Sequence, residues 1–352
     1  MLAPRENPHL SGHERVEREL RRLAAAGRLP HALLLSGPRG IGKATLAFRL
    51  TRFLLAGPDA RVGEGMAIDE QSSVFRRVAS GGHADILTIE RAYDPRRGRL
   101  RSEILVEDTR EIAGFLRRTA AEEGWRIVIV DGAEEMNRNA ANALLKILEE
   151  PPRRALLVLV AHTVGRLLPT IRSRCRHFRL ASLPRPLVLE LLQRYRPELA
   201  EPEARALAQL AGGSIGRAIE LVDAGGIQLY HSILATLAQV PRIDVAELYT
   251  FADKLARPDA ETIYRASEEL LSQFLARMIS RLARGELNHD DLLAAEREVM
   301  HHLGVRAEPA RWVALREQID RDFADTNELN LDRKQAILSA FFAVEELARG
   351  TA

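Results

Sequence analysis

Leu33-Leu34-Leu35-Ser36-Gly37-Pro38-Arg39-Gly40-Ile41-Gly42-Lys43 is the stretch on which the fold turns. Its leucine run reads as a buried strand, and residues 44–55 behind the lysine carry helical apolar spacing. Between them, glycines free the backbone to turn successive N–H groups toward an anion. The N-terminus of the following helix adds favourable dipole charge, and Lys43 is placed to reach the outer phosphates of a nucleotide. The alternative is a glycine-rich turn with an incidental lysine. It fits less well, because only four of the 51 basic residues are lysine (Lys43, Lys146, Lys254, Lys334) and the remainder are arginine.

The same pattern extends outward from this loop. Apolar runs at residues 31–36, 85–90, 126–131, 155–161 and 177–180 alternate with helical patterns such as 44–55, 106–121 and 139–149. Alternation of this kind predicts a parallel α/β sheet over residues 1–180. Ser182-Leu183-Pro184-Arg185-Pro186 reads as a linker, and almost everything beyond it is helical. Short helices at 187–195, 203–211 and 216–222 suggest a small lid over 181–226, bounded by Gly225-Gly226. Longer amphipathic helices at 260–282, 290–303, 309–323 and 331–348 make residues 227–352 a helical domain, either a plain bundle or an assembly platform.

Composition narrows the function classes. The 352 residues are 46% hydrophobic and 28% charged, an ordinary balance for a soluble chain. No apolar run approaches the roughly twenty residues that span a bilayer, and the N-terminus lacks a secretory core, so a cytoplasmic protein is expected. Cys175 stands alone, which excludes an internal disulfide framework and a cysteine-built zinc site. A net charge of +2 is too small for a free-standing nucleic-acid binder. The densest basic stretch, Arg96-Arg97-Gly98-Arg99-Leu100-Arg101, reads as a loop or hairpin. It is either simply solvated or a sequence-independent phosphate contact within an assembly.

The loop also has a defect. A hydroxyl residue normally follows the lysine and binds Mg²⁺, but this chain has Ala44, with Thr45 one residue late. One residue on a helix rotates a side chain by about 100°, so Thr45 replaces it poorly. Gly37, Gly40, Gly42, Lys43 and Thr45 are therefore candidate ligands for ATP or ADP, with Mg²⁺ weakly held. Arg126-Ile127-Val128-Ile129-Val130-Asp131 is a buried-strand pattern ending in a carboxylate. Asp131 is either a magnesium-orienting residue beside the nucleotide or a turn residue. Glu134 and Glu135 are expected to point elsewhere.

Two further motifs carry a family resemblance. Asn142-Ala143-Leu144-Leu145-Lys146-Ile147-Leu148-Glu149-Glu150-Pro151-Pro152 is an amphipathic helix stopped by a proline pair. It closely resembles a signature of bacterial clamp-loader subunits, members of the AAA+ family. Leu168-Pro169-Thr170-Ile171-Arg172-Ser173-Arg174-Cys175 resembles that family's Ser-Arg-Cys motif. The resemblance covers most of residues 5–220. It implies a fold of α/β plus all-α class: a P-loop AAA+ module over 1–180, a helical lid over 181–226 and a collar domain over 227–352. It also implies that Arg174 is an arginine finger acting in trans on a neighbour's ATP.

Motor subunits of the gamma/tau type would have a hydroxyl at 44, an acid at 132 and an arginine at 216, where this chain has Ala44, Gly132 and Gly216. Arg217 is a displaced second sensor at best. A retained finger with damaged hydrolysis resembles the delta-prime branch of the DNA polymerase III holoenzyme, a stator not catalytic alone. The implied partners are gamma/tau and delta subunits, the sliding clamp and, through the complex, primed DNA, in a hetero-oligomer away from membranes. Residues 56–83, where many relatives carry a zinc module, hold no cysteine, so neither zinc nor another metal site is expected. The rival readings are an active gamma/tau-like ATPase and a nucleotide-gated adaptor outside replication.

Overall fold

The computed structural model describes residues 2–94, 99–118, 124–257, 259–285 and 294–350. The chain divides into two compact units, Met1–Tyr195 with Gly212–Arg217, and Arg196–Ala211 with Ala218–Ala352.

The first unit is built on five parallel strands: β1 (Ala32–Ser36), β2 (Ile86–Ile89), β3 (Arg126–Asp131), β4 (Ala155–Ala161) and β5 (Arg176–Arg179). Their order across the sheet is β2-β3-β4-β1-β5. The expected runs 126–131 and 155–161 are reproduced in full, and the other three shift by one residue at their ends. The reason is burial on both faces, which makes central parallel strands read as unbroken apolar runs. Leu33, Leu35, Ile129 and Val158 pack one face against α1 (Glu14–Ala25), α2 (Lys43–Leu55) and α3 (Ser73–Ala79). Leu34, Val128, Val130 and Leu159 pack the other against α4 (Val106–Arg117) and α5 (Arg138–Glu149). Each such fully buried side chain contributes about 1.5–3 kcal/mol.

Several local features differ from the sequence expectation. Helix α1 is masked in the sequence, because its Val16, Leu20 and Leu23 stripe lies within a dense run of arginine and glutamate. Between 56 and 83 a turn at Pro58–Ala60 and a two-residue ladder (Arg61–Val62 with Ala67–Ile68) precede α3, which starts at its Ser72 cap. Tyr93–Asp94 pairs antiparallel with Arg99–Leu100, and the rest of the expected loop or hairpin, Arg96, Arg97 and Gly98, lies outside the described residues. After the four-residue α6 (Pro169–Arg172), the expected linker is shorter than read. Helix α7 (Arg185–Tyr195) already contains Pro186, in a first turn that does not need its N–H.

The second unit is helical. It contains α8 (Glu201–Leu210), the end of α9 (Ile215–Asp223), α10 (Gly226–Ala238), α11 (Val245–Leu255), α12 (Glu261–Arg284), α13 (Ala294–Gly304), α14 (Pro309–Leu329) and α15 (Arg333–Arg349). Trp312, Tyr264, Phe274 and Phe341 are fully buried, and the Tyr264 and Phe323 rings meet edge-on at 6.5 Å. A buried ion pair, Arg277 Nε to Glu296 Oε1 at 2.8 Å, ties α12 to α13, and Arg277 also donates to Tyr230 Oη of α10. Among the described residues, no helix is long and apolar enough to cross a membrane.

Candidate nucleotide site

Strand β1 ends at Ser36 beside the point where the chain crosses to the far side of the sheet, the usual place for a ligand in an open parallel sheet. Gly37, Gly40 and Gly42 follow with φ of 146°, 74° and 103°. Space forbids side chains there as well as conformation. A Cβ on Gly37 would strike the Leu180 carbonyl, and one on Gly40 would strike Ser214 Oγ and lie 3.0 Å from Gly216 Cα. Lys43 opens α2 and is 3% exposed. Its ammonium donates to the loop carbonyls Gly37 O (2.7 Å) and Pro38 O (2.5 Å).

Burial pulls the Lys43 pKa down to about 8, against the opposing charges of Asp131 and Glu134. Asp131 is pushed up, chiefly by burial and then by Glu90, while Lys43 holds it down. Below pH 8 Lys43 is protonated in both folded and unfolded chains, and the folded state carries the whole cost of the buried charge. Between pH 8 and the ordinary lysine value near 10.5 the folded chain loses its proton first, so that cost disappears. Relative to a Lys43→Met variant, the parent protein is therefore expected to gain about 1–2 kcal/mol between pH 7 and pH 10.5. Parallel denaturation curves at the two pH values measure it; a gap that does not change with pH contradicts the burial.

The expectation that both following glutamates point away is half right. Glu135 pairs with Arg91 at 2.9 Å. Glu134 instead faces the loop: its charge acts on Lys43 and Asp131. Its Oε1 accepts from the backbone of His162 (2.7 Å) and Thr163 (3.1 Å), pinning the end of β4 beside the loop. His162 is a site residue that motif reading missed, although its place just past a central strand marks it. Burial first, then the charge of Lys43, brings its pKa down to about 4, so it is neutral at physiological pH. The N-terminal segment also reaches the loop. His13 Nε2 donates to Ile41 O at 2.7 Å, and buried Arg52 holds Arg5 O and Asn7 O while lying over the Phe75 ring.

These observations fit a phosphate group. The glycines form a cradle at a helix N-terminus beside the Lys43 ammonium, and among the described residues the buried His162 Nδ1 has no hydrogen-bond partner and can donate to an anion. A metal fits less well, since Ala44 offers no oxygen and Thr45 is half-buried one position further along α2. The two other departures also have a structural basis. Gly132 sits at φ 76°, with the Glu135 carboxylate 2.5 Å from where a Cβ would lie. Gly216 donates its N–H to Gly40 O at 2.9 Å, and its Cβ would lie 2.8 Å from Gly40 Cα. Ser214 Oγ adds a bond to Arg39 O at 2.8 Å, so α9 begins in direct backbone contact with the loop. Arg217 is buried one residue beyond.

The fold thus brings Gly37, Gly40, Gly42, Lys43 and Asp131 together and leaves Arg174 apart. Arg174 follows α6 with its side chain 37% exposed, donating to Thr170 O (3.0 Å) and Glu149 Oε1 (2.7 Å). Cys175 packs against the core beneath it, and burial pushes the thiol up to about 12, which disfavours the thiolate.

A family model described as DNA polymerase III, delta subunit, matches residues 12–184. The DNA polymerase III subunit delta' of Pseudomonas aeruginosa is 33% identical over 86% of this chain and 88% of that protein. The gamma/tau subunit of Mycobacterium tuberculosis is 30% identical over 74% of this chain and 44% of its own length. A crystal structure of a gamma-subunit-related protein from Thermotoga maritima covers 94% of this chain and 99% of its own, at 20% identity and a TM-score of 0.39. With a parallel P-loop sheet, a helical C-terminal region and these relatives, the chain belongs to the delta' family of DNA polymerase III clamp-loader subunits.

Proposed function

We propose that this chain is a stator-like subunit of the clamp loader that supplies Arg174 in trans to ATP held by a neighbouring motor subunit. The observation that carries the reading is the position of Arg174. Among the described residues its polar contacts are with α5 and α6 alone, away from its own loop, and it is open to solvent. A guanidinium so presented can offset charge on a transferring phosphoryl group. The AAA+ module (1–180) would present the finger, and residues 181–226 would form a helical lid. The helical domain (227–352) would join a collar with gamma/tau and delta. ATP-driven closure then helps to place the sliding clamp on primed DNA in the cytoplasm.

The chain's own loop is read as a nucleotide holder. With Gly37 making the turn, backbone N–H groups at Gly40 and Gly42, with Lys43, would bind the phosphates of ATP or ADP, and Asp131 would face any Mg²⁺. Bound there, a nucleotide supplies mainly anionic charge that relieves the buried Lys43. Turnover is not expected, because Ala44, Gly132 and Gly216 each remove a different aid to hydrolysis.

The second reading, an active gamma/tau-like ATPase, rests on the intact cradle and Lys43. An ATPase assay on the isolated chain, combined with capture of delta and gamma/tau, separates the readings. The proposal expects capture and no Mg²⁺-dependent turnover; turnover abolished by Lys43→Ala supports the motor, and failure to capture either subunit supports an adaptor elsewhere. Ala44→Ser is further expected to tighten Mg²⁺-dependent ATP binding by about three- to tenfold without creating turnover, as one restored ligand would. Equilibrium binding with and without Mg²⁺ measures the gain.

A further inference from the structure

We propose that Glu149 is a positioning residue for Arg174, holding one edge of its guanidinium so that the other edge faces the neighbouring subunit's ATP. The inference rests on the reading of Arg174 as a trans-acting finger and adds the element that aims it. Glu149 is the last residue of α5, whose axis is stopped at once by Pro151-Pro152. Thr170 lies in α6, which begins at Pro169. Glu149 Oε1 takes Arg174 Nη2–H at 2.7 Å and Thr170 O takes Nη1–H at 3.0 Å.

A guanidinium carries five N–H donors in a planar fork. Two are engaged by these acceptors, and among the described residues the other three have no protein partner. The engaged pair fixes the plane of the fork, and the remaining donors are left for an incoming anion. The backbone at this point is anchored from below by Cys175 in the core, so base and head of the arginine are both held. Arginine is otherwise a long side chain with large rotamer freedom, and a finger that must be ordered at each turnover is a slower one. Both partners are half exposed, Glu149 at 51% and Arg174 at 37%. An exposed pair adds little to folding, so its loss is read in catalysis and leaves stability alone. Among the described residues the polar partners of Arg174 do not include Glu150, in the same motif, which is the natural control.

The test uses the loader reconstituted from this chain, gamma/tau and delta, with sliding clamp and primed DNA. Steady-state ATPase gives kcat and KM for five variants: R174A, E149A, E149Q, E150A and the double E149A/R174A. Glu149→Ala is expected to lower kcat by about two- to fivefold with KM for ATP little changed, because only alignment is lost. Glu149→Gln, which still accepts a hydrogen bond, recovers part of that loss. Glu150→Ala behaves as wild type, and the double variant is no slower than R174A. A wild-type kcat for E149A beside an impaired R174A overturns the positioning role and leaves the finger standing. So does equal loss in E149A and E150A, or additive loss in the double variant. A wild-type kcat for R174A overturns the finger reading itself.

Discussion

Arg174→Ala is expected to lower the DNA-stimulated ATPase of the reconstituted loader by about tenfold while the subunits still assemble. At a single phosphoryl-transfer site an arginine finger is worth about 10³–10⁵ in rate. The loss expected for the whole loader is smaller, on the reading that this chain serves one of several ATP sites. Assembly is spared for a reason visible in the structure. Arg174 is surface-exposed, and its pair with half-exposed Glu149 contributes about 0–1 kcal/mol to folding. Steady-state phosphate release, with the assembled complex checked by size exclusion, makes the measurement. A subunit that falls out of the complex on this substitution would point to a structural role instead.

Gly216→Arg, which writes a motor subunit's second sensor into this chain, is expected to damage the fold and restore nothing. A Cβ at this position lies 2.8 Å from Gly40 Cα and 3.3 Å from Gly40 O, and both atoms are backbone that cannot rotate away. The first turn of α9 must then lift off the phosphate loop. That breaks the Gly216 N–H to Gly40 O bond and the Ser214 Oγ bond to Arg39 O. Overpacking with two lost hydrogen bonds costs about 3–5 kcal/mol, a fall of roughly 10 °C in Tm for a unit of this size. Nucleotide affinity should fall with it, because Gly40 is part of the cradle. Thermal unfolding and ATP titration of the purified variant test this. An unchanged Tm with newly gained turnover would show that Gly216 is a mere deletion of function.

The two glycines give the missing hydrolytic residues a physical meaning. At Gly132 the backbone is left-handed and Glu135 folds over the space of a side chain; at Gly216 the phosphate loop itself fills that space. Placing an acid at 132 or an arginine at 216 would therefore need neighbouring groups to move as well.

What could be read in the sequence follows the range of the interactions. Strands buried on both faces announce themselves as unbroken apolar runs, so 126–131 and 155–161 were legible to the residue. The phosphate loop was legible because its glycines and lysine are contiguous. Contacts between distant segments were not. Ser214 meets Arg39 across 175 residues of sequence, and His13 and Arg52 tie the N-terminal segment to the loop and to α2 respectively, through bonds that no local pattern encodes. Glu134 departs from the expectation for a related reason. Its direction is set by the end of β4, which supplies the N–H groups it accepts, rather than by its spacing from Asp131. Arg174 was legible only through its motif, and Glu149, which holds it, only through the structure.

The claim that this chain serves another subunit's ATP and not its own is tested most directly by phosphate release measured in one series. The series comprises the isolated chain, the loader with the wild-type chain and the loader with Arg174→Ala. The account predicts background release from the isolated chain, full DNA-stimulated release from the wild-type loader and about a tenfold loss with Arg174→Ala. Mg²⁺-dependent release from the isolated chain, together with an undiminished rate in the Arg174→Ala loader, would contradict it.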